Sequence, residues 1–102
     1  MGIIKSEHPE HSDEVRIEIS GTLDFHDRYQ FTEAYSCDDP SKMRFVLDLK
    51  HTKALDSSAL GMLLIMRNDA GEEQANIRIV NCPPDVKKTL LLSKFDQIFQ
   101  ID

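Results

Sequence analysis

Apolar and polar positions change rhythm along this chain, and each change predicts an element. "EVRIEIS", Glu14–Ser20, alternates strictly, with Val15, Ile17 and Ile19 on one side and Arg16, Glu18 and Ser20 on the other. That period of two predicts a half-buried strand. "GIIK" near the start predicts a short partner strand, with "SEHPEHSD" as the turn between them. The alternation breaks at Gly21. Asp24 or Asp27 is then placed to cap a helix through "DRYQFTEAY", where Phe31 and Tyr35 share a face with Arg28 and Ala34 lies beside them. "SCDDPSK" reads as a loop. "MRFVLDL" is apolar at Phe45, Val46, Leu47 and Leu49, which predicts a central strand covered on both faces.

"KHTKALD" reads as a connection, leading to a helix from about Ser58 to Ala70 that Gly71 stops. "NIRIVN" predicts a strand. "PPDVKKTLLLSK" predicts a helix with proline in its first turn and Val86 and Leu90 on one side, and "QIFQI" predicts a short closing strand. The order β, β, α, β, α, β, α, β implies an α/β domain with a mixed, mainly parallel sheet of four to five strands, because right-handed crossovers return each strand parallel to the last. A length of 102 residues suits a single domain.

The predicted second helix carries the candidate chemistry. Asp56, Ser57 and Ser58 stand in a row between a strand and that helix. Asp and Ser are favoured N-caps because their side chains accept from backbone N–H groups the helix leaves unpaired. One cap needs one side chain, so two polar residues are surplus. The same helix end favours an anion, and a phosphate on a serine there adds about −1.5 to −2 charge. In "LGMLLIMR", Leu60, Leu63 and Leu64 form one stripe continued by Arg67, while Met62, Ile65 and Met66 widen the apolar surface. That is more apolar surface than a helix on a two-layer domain buries, so part of it is expected to meet a partner. Gly61 would let another backbone come close.

Charge narrows the partners. Residues 1–40 hold ten acids against three bases, and residues 41–102 hold eight acids against nine bases. Nucleic-acid binders carry a basic face, and this chain lacks that excess. No stretch approaches the ~20 apolar residues of a membrane span, and no signal-peptide pattern opens the chain, so a cytoplasmic setting is expected. Cys37 and Cys82 lack ligand spacing and are expected to be reduced thiols. There is no GxSxG elbow and no phosphate-binding glycine loop, so neither catalysis nor a cofactor or metal is expected.

The segment from about Ile17 onward resembles the STAS domain of bacterial anti-sigma factor antagonists. The likeness rests on "GTLD", "LDL", "LDSSALG" and "VNCPPDVKKTL". The resemblance implies a partner switch. Ser57, directly after the aspartate, would be phosphorylated by a cognate serine kinase that is often the anti-sigma factor itself. The unphosphorylated form would bind that protein, and a PP2C-type serine phosphatase would restore it. Asp56, Ser58 and Asp24 would flank the phosphosite, and Ala59, Leu60, Gly61, Met62, Ile65 and Met66 would line the partner surface. Ala59 stands where the family usually has glycine. Weak nucleotide binding has also been associated with the family. STAS-like domains also occur as constitutive cytoplasmic subunits of membrane transporters, including lipid ABC systems, and that is the alternative function.

Overall fold

A computed structural model describes residues 2–8 and 11–102. Five strands form one sheet in the order β1-β2-β3-β4-β5: β1 (Gly2–His8), β2 (His11–Leu23), β3 (Arg44–Leu55), β4 (Asn76–Val80) and β5 (Gln100–Ile101). β1 pairs antiparallel with β2, and every later pairing is parallel. Three helices connect the parallel strands: α1 (Arg28–Tyr35), α2 (Ser57–Asp69) and α3 (Pro84–Leu92). The predicted element order and the mixed α/β class are both observed. The tip of the first turn, Pro9 and Glu10, lies outside the described residues.

One core joins a single face of the sheet to all three helices. Val15, Ile17 and Ile19 of β2 and Phe45, Leu47 and Leu49 of β3 meet Phe31 of α1, Leu63 and Met66 of α2, and Val86 and Leu90 of α3. Burying one such leucine, isoleucine or phenylalanine contributes about 1.5–3 kcal/mol. Among the described residues the other face carries no helix. The apolar run of β3 predicts cover on both sides, but on this face Val46 and Asp48 are buried beside polar sheet neighbours instead. Asp48 accepts from Arg16 at 2.6 Å, from the Lys50 N–H at 3.0 Å and from Asn81 at 3.2 Å. Burial pushes its carboxyl pKa up, but those donors outweigh the effect and hold it below the usual range.

Three strands run further than their patterns predict. β1 reaches His8 and β2 begins at His11, so most of the predicted turn over residues 6–13 is strand. β2 continues through Gly21, whose φ of 82° suits glycine, to Leu23. "KHTKAL" is the second half of β3 and not a connection. It pairs Ser20 with His51, Gly21 with Thr52, Thr22 with Ala54 and Leu23 with Leu55, and the register shifts twice. Within it only Thr52 and Leu55 are buried, so no two-residue period survives to mark a strand. The Thr52 hydroxyl donates to the Ile19 carbonyl at 2.7 Å and ties the shifted segment to β2. The closing strand shrinks to two residues, because Phe95–Gln97 form a 3-10 turn that buries Phe95.

The longer strands set where the helices begin. Because β2 and β3 are parallel and end in register at Leu23 and Leu55, the chain leaves the sheet side by side toward the 3-10 turn before α1 and toward α2. The far ends are linked too: the Tyr35 hydroxyl donates to Asp69 at 2.7 Å. Burial and the Asp69 carboxylate both raise the tyrosine pKa, so the phenol stays protonated at physiological pH. Tyr35→Phe removes this one bond and is expected to cost about 1 kcal/mol, readable as a lowered urea midpoint.

Candidate functional site

Each of the two parallel strands hands over to its helix through an aspartate. Asp24 follows Leu23 and Asp56 follows Leu55, both in extended conformation. Asp24 accepts from the His26 N–H at 2.9 Å, while Asp27 accepts from the Asp24 N–H at 3.0 Å, a reciprocal capping box around a short 3-10 turn at Phe25–Asp27. Asp56 caps α2, accepting from the Ala59 N–H at 2.9 Å. The Asp56 N–H donates to the Leu23 carbonyl at 3.5 Å, so the two strand ends touch. Asp24 therefore follows directly on the strand end that the Asp56 N–H meets.

The surplus of polar side chains at the mouth of α2 separates into roles. Asp56 is the cap. Ser58 donates its hydroxyl to the same carboxylate at 2.6 Å and is half-buried. Ser57 is the first residue of the helix, one position earlier than the pattern places the start, and it is exposed. Its hydroxyl has no hydrogen-bond partner among the described residues. The Ser58 hydroxyl and the Ala59 N–H hold the Asp56 carboxyl below its ordinary value of 3.8, so it is charged at neutral pH. A depressed folded pKa means that this stabilisation is fully present above the unfolded value and lost as pH falls through the folded one. The stability difference between wild type and Asp56→Asn is therefore expected to be constant above about pH 4 and to shrink on further acidification. Melting temperatures of both proteins between pH 7 and pH 3 check this.

The orientation of α2 corrects part of the expected partner surface. Ala59, Met62 and Met66 face the core, at 0%, 8% and 0% exposure, together with Leu63 and Ala70. Met62, Leu63, Met66 and Ala70 lie three, four, seven and eleven residues on from Ala59, which is one helical face. The predicted stripe through Leu60, Leu63 and Leu64 rests on the leucines alone. Ala59, small enough to sit against the sheet, sets the true phase, and the flexible Met62 and Met66 fill the core behind it. The outward surface instead holds Ser57, Gly61, Leu64 and Ile65, with Leu64 45% and Ile65 58% exposed. Leu64 is an addition to the expected surface, and Leu60 lies half-buried at its margin. Ser57 to Ile65 spans about 12 Å of helix. Gly61 lies between them, and a Cβ built on it would meet nothing within 4 Å.

Comparison with known proteins agrees with this architecture. The family model described as "Mlab, STAS domain" matches residues 7–100. The chain belongs to the STAS domain family. It is 46% identical over 88 residues to a STAS-domain containing protein of Pseudomonas aeruginosa, covering 86% of this chain and 87% of that one. An anti-sigma factor antagonist from Mycobacterium paratuberculosis superimposes with a TM-score of 0.79 at 17% identity, covering 98% of this chain and 83% of that one. The Bacillus cell fate determinant SpoIIAA in its phosphorylated form matches with a TM-score of 0.63 at 16% identity, covering 97% and 91%. No helix among the described residues is long and apolar enough to cross a membrane.

Proposed function

We propose that this protein is a phosphorylation-controlled anti-sigma factor antagonist that acts in the cytoplasm by exchanging partners. With Ser57 unmodified it binds a cognate serine kinase that is also the anti-sigma factor. Phosphorylation of Ser57 releases it, and a PP2C-type serine phosphatase resets it. The protein is substrate and ligand rather than catalyst. The observation that carries this reading is the Ser57 hydroxyl, exposed at the first residue of α2 and without a hydrogen bond among the described residues. Ser58 beside it is already engaged by the cap carboxylate. The likeness to a protein whose phosphorylated form is known supports the reading.

A phosphate at the first residue of a helix meets the positive end of the helix dipole, so the free protein tolerates it. A partner surface closed over a neutral hydroxyl does not. It would have to enclose a dianion beside the charged Asp56, and desolvation and repulsion act together against the complex.

Gly61 supplies an independent check. Glycine inside a helix costs about 0.5–1 kcal/mol relative to alanine, and among the described residues nothing comes within 4 Å of where its Cβ would stand. Its use is therefore sought outside the chain, where a partner backbone lies against α2. Gly61→Ala is expected to raise the melting temperature and to weaken partner binding, a pair of opposite shifts seen by thermal melts and by calorimetric titration with the kinase.

The function is tested by a pull-down from lysate of the source cells with wild type, Ser57→Ala and Ser57→Asp baits, analysed by mass spectrometry. A serine kinase held by the first two and lost by the third is expected. Retention by all three baits would favour the alternative of a constitutive transporter subunit docked through Leu64 and Ile65. Phosphosite mapping after incubation with the kinase is expected to place phosphate on Ser57. Equal phosphorylation of the Ser57→Ala protein at Ser58 would overturn that choice.

A further inference from the structure

The 3-10 turn that leads into α1 repeats the design of the start of α2 with different chemistry. Phe25 follows the cap Asp24 as Ser57 follows the cap Asp56, on neighbouring parallel strands whose ends are joined by the Asp56 N–H bond to Leu23. Where α2 presents a hydroxyl, α1 presents rings. Phe25 is 50% exposed and Tyr29, one turn on, is 74% exposed. The Arg28 guanidinium lies 3.9 Å from the centroid of the Phe25 ring and 4.4 Å from that of Tyr29. Its Nη1 donates to the Phe25 carbonyl at 2.9 Å, which fixes the fork in place. Among the described residues Arg28 pairs with no carboxylate, although Asp24 and Asp27 are close in sequence.

This arrangement has no evident role in stability. Exposed cation–π contacts are worth about 0.5–1 kcal/mol, and leaving two aromatic rings in water offsets that gain. Tyrosine and arginine are, however, the residues that most often dominate binding energy at protein interfaces, because stacking holds them in place before the partner arrives. The charge calls for an acid opposite it, and the flat fork suits a carboxylate bound through two N–H groups. We infer that Phe25, Arg28 and Tyr29 form a second anchor for the kinase, gripping an acidic side chain on a segment that packs over both rings. This rests on the partner-switch reading, because it extends the same docking surface from α2 across to α1. It also gives the two anchors different tasks. The α2 anchor senses the charge on Ser57, whereas the α1 anchor carries no modifiable hydroxyl at the corresponding position.

The test uses full-length protein carrying a photo-crosslinking benzoylphenylalanine at position 29 or at position 65, with the purified kinase identified in the pull-down. Crosslinks to the kinase are expected from both positions and are expected to disappear in the Ser57→Asp background. In parallel, Arg28→Glu and Tyr29→Ala are each expected to weaken binding roughly 30-fold or more with circular dichroism unchanged. Arg28→Lys, which keeps the charge but loses the flat fork, is expected to fall between Arg28→Glu and wild type. Crosslinking at position 65 but not at 29, or wild-type affinity in Arg28→Glu, overturns the second anchor and leaves the switch standing. Crosslinking from position 29 to a second copy of this chain overturns it as well. Absence of crosslinks at both positions overturns the switch and the anchor together.

Discussion

Ser57→Asp is expected to weaken kinase binding by a few hundredfold, about 3–4 kcal/mol, while leaving the fold intact. The two halves of that expectation have separate causes. An acid at the first position of α2 faces the helix's own unpaired N–H groups, so the free protein gains or loses little. In the complex the new carboxylate sits beside Asp56, whose charge the Ser58 and Ala59 donors already secure at neutral pH. Two neighbouring anions must then be desolvated against a surface shaped for a hydroxyl. Ser57→Ala is expected to bind as wild type does, since among the described residues the hydroxyl makes no bond, and charge, not the hydroxyl, is the proposed switch. Calorimetric titration of the three proteins with the kinase, together with their thermal melts, checks both halves. If Ser57→Ala bound as poorly as Ser57→Asp, the hydroxyl itself would be the contact and charge would not be the switch.

Leu63→Ala and Ile65→Ala are expected to fail in opposite ways although they lie two residues apart on one helix. Leu63 is 1% exposed and belongs to the core, so truncation costs about 2–5 kcal/mol of stability. Ile65 is 58% exposed, so truncation costs within about 0.5 kcal/mol of stability. It is expected instead to weaken kinase binding by tenfold or more, as loss of an apolar anchor does. Denaturant melts read the first effect and titration reads the second. A large stability loss in Ile65→Ala would mean that α2 is turned the other way, and with it the whole docking surface.

The parts of this fold that are legible in the sequence are those with one dominant signal. β2 announces itself at Val15, Ile17 and Ile19 because one face is buried and the other polar. α3 is marked by its prolines and by Val86 and Leu90. The extension of β3 through Lys50–Leu55 is not legible, because register shifts destroy the alternation and the pairing that stabilises it lies some thirty residues away. The face of α2 is hidden for a related reason. Apolar residues fill most of its circumference, so hydrophobicity cannot phase it, and only packing against the sheet reveals that Ala59 faces inward. That burial also bears on the family difference at this position, since a methyl group pointing into the core adds nothing to the exposed surface of α2. The triplet of polar residues is legible as a candidate site, but the division among the cap, the cap-bound hydroxyl and the exposed hydroxyl of Ser57 emerges only in three dimensions. Phe25 and Tyr29 give no sequence signal as proposed contact residues, because single exposed aromatics are common and their stacking on Arg28 emerges only where the capping box turns the chain.

The role assigned to the mouth of α2 is tested most directly by preparing the protein with phosphoserine at position 57 and measuring its dissociation constant for the kinase beside that of the unmodified chain. A loss of at least a hundredfold on phosphorylation, reversed when a PP2C-type phosphatase removes the group, is the predicted result. Equal affinity of the two forms would contradict it.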